Sequence, residues 1–196
     1  MLTTLVIVIV LAVPVTWALS QNALVAGRER VKEGWSGITI QLKRRHALVP
    51  NLVEAAKTAM AHETARFDKL LDARTEAARL LRTGSPDEIT HAEAGLTAAL
   101  NDFVGYAEDT PEITANDNIK LLQSQLEETE DQIAAARRLY NGNVTAFNMK
   151  LDQIPYSFVA SRGGFERAAL FEVDQAEFKR ISADISVKGL GLGGAE

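Results

Sequence analysis

The chain has 196 residues, 46% of them hydrophobic, a formal net charge of −5 and no cysteine. That length suits one ordinary domain plus a tail, and the missing thiols exclude disulfides, thiolate catalysis and Cys-ligated zinc while leaving the redox compartment open. The acidic balance provides no strongly basic footprint, so no nucleic-acid partner is expected.

Met1 to Gly27 carries no charged side chain, and Leu2–Leu19 reads LTTLVIVIVLAVPVTWAL. Such a run is near the lower limit for crossing about 30 Å of hydrocarbon, and the uncharged residues after it can lengthen the span. The expectation is a transmembrane anchor over residues 1–21, with Trp17 at the membrane interface and Pro14 tolerated within the helix. A cleaved signal peptide ending near Ala18-Leu19-Ser20 lacks the usual cationic n-region. Arg28, Arg30 and Lys32 follow the run closely, so the rule that cationic flanks stay inside places the bundle in the cytoplasm. The localisation expected is therefore the cytoplasmic (inner) membrane, single-pass, with the N-terminus outside.

A first soluble helix is expected over 22–45, with Leu24, Val31, Trp35, Ile38 and Leu42 at three- and four-residue steps. The basic Lys43-Arg44-Arg45 cluster reads as the solvated end of a bundle, too far along the helix to meet lipid. Pro50 predicts a break over His46–Val49 and a second helix from Pro50 to about Arg82, because proline suits a first turn and damages a helix interior; the stripe runs nearly in phase through Pro50, which leaves one kinked helix as the alternative. Val53, Met60, Phe67 and Leu81 form its stripe, interrupted by Arg74. Thr83-Gly84-Ser85-Pro86 stops that helix and starts a third, with Asp87 and Glu88 favouring its dipole. Ile89, Leu96, Leu100 and Phe103 face inward along it, to about Ala107.

The fourth helix, from near Thr114 to Pro155, is the longest soluble one. Ile119, Leu126, Ile133, Tyr140, Phe147 and Ile154 recur every seventh residue, with Leu122, Val144 and Leu151 between them. A helix of roughly 60 Å is stable only with others lying along it. The fold class expected is all-α: an amino-terminal transmembrane helix, then an antiparallel four-helix bundle with long, coiled-coil-like helices over 22–155. Residues 156–188 read as a loop and short helix packed on that bundle, with Tyr156, Phe158, Phe165, Leu170 and Phe171 folding back around Gly163-Gly164. Residues 189–196 read as a flexible tail.

Catalytic constellations are missing from the sequence. Glu88 and His91 form one E-x-x-H, whereas di-iron bundles need two with two further glutamates. His62-Glu63 starts an H-E-x-x-H that Arg66 fails to complete. The acids Glu127, Glu128, Glu130 and Asp131 suit a solvated helix face, though a metal-dependent enzyme using them with Glu88 and His91 is the alternative. No cofactor and no enzymatic activity are expected.

Two runs resemble the LemA family of bacterial membrane-anchored proteins. In Val31–Glu63 the resemblance rests on Trp35-Ser36, Gln41-Leu42-Lys43-Arg44-Arg45, Val49-Pro50-Asn51-Leu52-Val53 and His62-Glu63. In Pro111–Pro155 it rests on Leu122, Leu126, Thr129-Glu130, Ile133-Ala134, Ala136-Arg137-Arg138, Tyr140-Asn141, Val144, Asn148 and Pro155, with Gly164-Phe165 and Leu170-Phe171 beyond. The alanine-rich AAKTAMA after Val53 and an added segment beyond Phe171 depart from the pattern. The resemblance implies a membrane segment, a four-helix bundle and a scaffold or accessory role without known catalysis.

Trp35, Gln41, Arg44, Arg45, Pro50, Asn51, Tyr140, Asn141 and Asn148 are the candidate interaction residues. Asn141 and Asn148 stand beside core positions, where Gln41, Arg44, Arg45 and Asn51 could meet them. Either these polar groups fix helix register by buried hydrogen bonds, or they line a partner-binding groove at the bundle end holding Pro50. The partners implied are the lipid bilayer, through residues 1–21, and unidentified membrane or cytoplasmic proteins, with homo-oligomerisation open.

Overall fold

A computed structural model describes residues 1–57, 60, 63–108, 110, 113 and 115–171, without the side chains of residues 2, 4–10 and 108. Among the described residues the chain is all-α: α1 spans Leu2–Ala56, α2 Thr64–Thr83, α3 Pro86–Glu108, α4 Asp117–Asp152 and α5 Tyr156–Gly163. The residues from 172 onward, and the expectations for them, lie outside the description.

The helix α1 contradicts the expected break at His46–Val49. It runs unbroken through Pro50, and residues 1–21 are continuous with the rest of it. The reason is local and chemical. Proline at 50 cannot donate to the carbonyl four residues back, which belongs to His46. Arg74 of α2 supplies the missing donor, its Nε lying 3.0 Å from the His46 oxygen. Val49, Leu52 and Val53 are buried on either side of the proline, so packing holds the segment helical. The chain turns instead after Ala56, close to Met60 and Glu63, where Met60 N–H donates to the Ala56 carbonyl and Glu63 N–H to that of Met60.

Helix starts follow the side chains available. Ser85 and Glu88 form a capping box at α3: the Ser85 N–H and hydroxyl reach Glu88 Oε2 at 2.7 and 2.9 Å. Those bonds hold the Glu88 carboxyl below its ordinary pKa, the backbone bond contributing most. Asn116 caps α4 by accepting from the Asn118 N–H. Gly164, at φ 64°, ends α5 in the left-handed region that glycine tolerates.

Cross-helix pairs set the register. Gly27 faces Phe147, Gly34 faces Tyr140, and Arg44 meets Glu128, so α1 and α4 run antiparallel along most of their shared length. Two regions result. At one end Val49, Leu52, Leu70, Leu96, Phe103, Ile119 and Leu126 join α1, α2, α3 and α4 in one core. At the other, α1 and α4 form a two-helix stem. There Leu24, Phe147 and Leu151 pack with Val159 and Ala160 of α5, while Ile38, Tyr140 and Val144 share a cluster with Phe171 and, where the α2–α3 hairpin ends, with Ile89 of α3 and Leu80 and Leu81 of α2.

Five of the six heptad positions on α4 are buried; Ile154 is 77% exposed, because the helix stops at Asp152. Phe158 and Leu170 were expected to fold onto the bundle and are exposed, at 64% and 40%. Residues 11–19 of α1 are exposed on every side. Among the described residues no helix is long and apolar enough to cross a membrane, and most of the Leu2–Val10 side chains fall outside that description. The transmembrane expectation is therefore not carried by the described residues.

Candidate functional site

The candidate residues divide between two places and never meet as one groove. Arg44, Arg45 and the acids of α4 belong to the four-helix end. Trp35, Tyr140, Asn141 and Asn148 belong to the stem. Asn51 is exposed and Pro50 half-buried, so the contact expected between Asn51 and the asparagines of α4 does not form.

At the four-helix end Lys43 and Arg44 of the basic cluster are exposed as expected, but Arg45 is not. Arg45 is 4% exposed, because α3 closes over it. Its guanidinium reaches Glu130 Oε1 at 2.6 Å, Glu93 Oε2 at 3.4 Å and the Thr97 hydroxyl at 2.7 Å. His46, also buried, lies 2.7 Å from Glu93 Oε1 through Nε2. Glu93 thus serves two neighbours on α1, and Arg45 sits between carboxylates of α3 and α4. Gln41 Oε1 and Arg45 Nε, one turn apart on α1, are buried with no hydrogen-bond partner among the described residues. Arg44 is half exposed and pairs with Glu128 at 3.1 Å.

Taking an ion out of water costs several kcal/mol, and only close pairing and hydrogen bonding offset it. Sliding any of α1, α3 or α4 past its neighbours would therefore strand a charge. Reading the sequence missed Glu93. Its signal was present: it falls four residues after Ile89 and three before Leu96, on the inward stripe of α3.

In the stem, the asparagines hold the segment after α5 along α4. The Asn148 amide accepts from Ala168 N–H at 3.0 Å and donates to the Ala168 carbonyl at 2.9 Å. Seven residues earlier, Asn141 does the same to Phe171, at 2.9 and 3.1 Å. Between them the Tyr140 hydroxyl donates to the Ala169 carbonyl at 2.8 Å, and burial raises its pKa. Two side chains at heptad spacing on one helix thus read the backbone of a chain running beside it. Trp35 completes the contact, its ring 5.6 Å from Tyr140 and 5.5 Å from Phe171. The two helices approach closely because a Cβ on Gly34 would come within 3.0 Å of the Tyr140 Cα. Asn143 adds a bond from its amide to the Arg30 carbonyl at 2.9 Å. Gly27, Gly34 and Asn143 were also overlooked in the sequence, although the two glycines lie seven apart on the α1 stripe.

The residues of the metal alternative stay apart. Glu88 is engaged in its cap, His91 is exposed, and Glu128 and Glu130 face arginines. Among the described residues no three His, Asp or Glu side chains are grouped so as to hold a metal ion.

Comparison with known proteins places these features in a family. The model of the LemA family matches residues 34–186. Its reach to 186 shows that the segment just beyond Phe171 is no addition to the family pattern, contrary to expectation. Magnetosome protein MamQ 2 and Magnetosome protein MamQ 1 of Paramagnetospirillum magneticum are each 26% identical over 186 residues, covering 83% of this chain and 68% of theirs. Magnetosome protein MamQ of Magnetospirillum gryphiswaldense is 24% identical over 179 residues, covering 80% and 66%.

Proposed function

The chain belongs to the LemA family, and from that premise we propose that it is a membrane-attached, non-enzymatic scaffold whose helical bundle is presented to protein partners. The observation that carries the reading is the amino-terminal end of α1. Leu11, Val13, Val15 and Leu19 are all exposed by more than half, on a helix that leaves the bundle with apolar side chains all round. A helix apolar on every side needs a non-aqueous surrounding. In the proposed arrangement residues 1–21 lie in the bilayer, with Trp17 near its interface. Arg28, Arg30 and Lys32 keep the bundle on the cytoplasmic side.

The scaffold reading is supported by how the polar side chains are used. Arg45, Glu93 and Glu130 lock helices together, Glu88 caps one, and Asn141 and Asn148 fasten a strap. The names of the relatives, which assign them to magnetosomes, fit a membrane-associated role without identifying this chain's partners.

Photo-crosslinking from exposed α2 and α3 positions of the full chain, in native membranes, tests the proposal. Recurrent adducts to a discrete protein, or between copies, are expected. An unmodified monomer from every position would contradict the scaffold role.

A further inference from the structure

Where α1 leaves the stem, the chain turns from α4 into α5, and this turn is capped by uncovered apolar side chains. Ile154 is 77% exposed and Phe158 64%. Phe158 precedes Val159 and Ala160, which face inward to Leu24, and is itself turned away from the core. Ile154 would continue the buried stripe of α4, yet it lies beyond the last residue of that helix and is left uncovered among the described residues.

Single exposed apolar residues are ordinary; the position of these two is what matters. Leu24, against which α5 packs, is five residues or about 7.5 Å along α1 from Leu19, the end of the apolar run exposed on every side. Any layer that receives the run therefore passes close to the turn. The charges nearby suit an anionic lipid surface. Asp152 is neutralised by Arg167, whose Nη1 lies 2.9 and 3.0 Å from the two carboxylate oxygens. Arg162, one turn after Phe158, is exposed. A protruding apolar tip with a cationic flank is the chemistry of peripheral insertion at the headgroup boundary.

We propose that Ile154 and Phe158 form a second membrane contact, inserting beside the α1 anchor with Arg162 at the level of the lipid phosphates. The contact fixes the stance of the stem on the bilayer, since one helix alone would leave it free to tilt. The inference rests on the reading that residues 1–21 lie in the membrane. A lipid surface is the occupant because the tip protrudes and adjoins the apolar run.

The absence of cysteine makes single-site labelling direct. The full chain is reconstituted in vesicles of phosphatidylethanolamine and phosphatidylglycerol, with a fluorophore on Ser161→Cys, a residue at the same turn that leaves both apolar side chains intact. Leu11→Cys reports on the anchor. Leu139→Cys, 63% exposed on the stem and roughly 18 Å along α4 from Leu151, reports on water. Quenching of the Ser161 label by a lipid-borne quencher should exceed that at Leu139 severalfold, and should fall to the Leu139 level when Ile154→Ser and Phe158→Ser are added. A Ser161 label that matches Leu139 while the Leu11 label is lipid-quenched overturns this contact alone. Aqueous behaviour at Leu11 as well overturns the anchoring reading and the contact with it.

Discussion

The four-helix end and the two-helix stem are built on the same pair of helices, α1 and α4, but covered differently. At the four-helix end the hairpin of α2 and α3 brings in apolar side chains and buried charge: Glu93 spans Arg45 and His46. Among the described residues the stem has no second hairpin. A strap of residues 165–171 is laid along α4 by side-chain amides that grip its backbone. The comparison teaches that one periodic stripe can be completed by helices at one end and by extended chain at the other. Burial alone does not distinguish them; the polar partners do.

The largest expected effect separates the two regions most clearly. Glu93→Ala would leave Arg45 and His46 buried with their shared acceptor gone, a loss of about 3–5 kcal/mol where a buried pair is broken. Denaturant unfolding followed by circular dichroism measures it, and Glu93→Gln, which keeps the shape, should be milder. A change below that of the stem variants would show that the charges are not a lock.

Arg74→Met sharpens the account of why α1 stays whole at Pro50. It orphans the His46 carbonyl, at about 1–3 kcal/mol for a buried group left unpaired. Pro50→Ala restores the helical donor, so the double variant should recover most of the loss; additive losses would refute the pairing.

The stem variants should be gentler. Asn141→Ala and Asn148→Ala each remove two bonds to the strap, at a net cost of about 1 kcal/mol per hydrogen bond or less given partial exposure. Hydrogen exchange at the Ala168 and Phe171 amides should accelerate far more than exchange within α2 or α3. Equal acceleration in both regions would erase the distinction between them.

Much of this was legible in the sequence because helical periodicity survives without knowledge of partners. The start of α3 follows from Gly84, Ser85 and Pro86, and the α4 stripe from Ile119 to Phe147. Pro50 misled, because the cost of an internal proline depends on who serves the carbonyl it abandons, and that donor stands 24 residues away in Arg74. Arg45 misled for a related reason. Three adjacent cations look solvated until α3 brings Glu93 and Thr97 over one of them. The pairing of Asn141 with Phe171 and Asn148 with Ala168 was out of reach, since an asparagine beside a core position states only that it has a partner. It does not say that the partner is a backbone 20 or 30 residues later.

The central claim is that the uncovered amino-terminal end of α1 seats this bundle on a membrane. Flotation of the full chain with lipid vesicles, beside the full-length variant Val13→Asp with Val15→Asp, tests it most directly. A charge at the bilayer centre costs about 2.5–3.5 kcal/mol on insertion scales, while both positions are exposed and outside the bundle core. The account predicts that the native chain rises with the vesicles and the variant stays behind with its helical content unchanged. A native chain that remains in the aqueous fraction, or a variant that floats equally well, would contradict it.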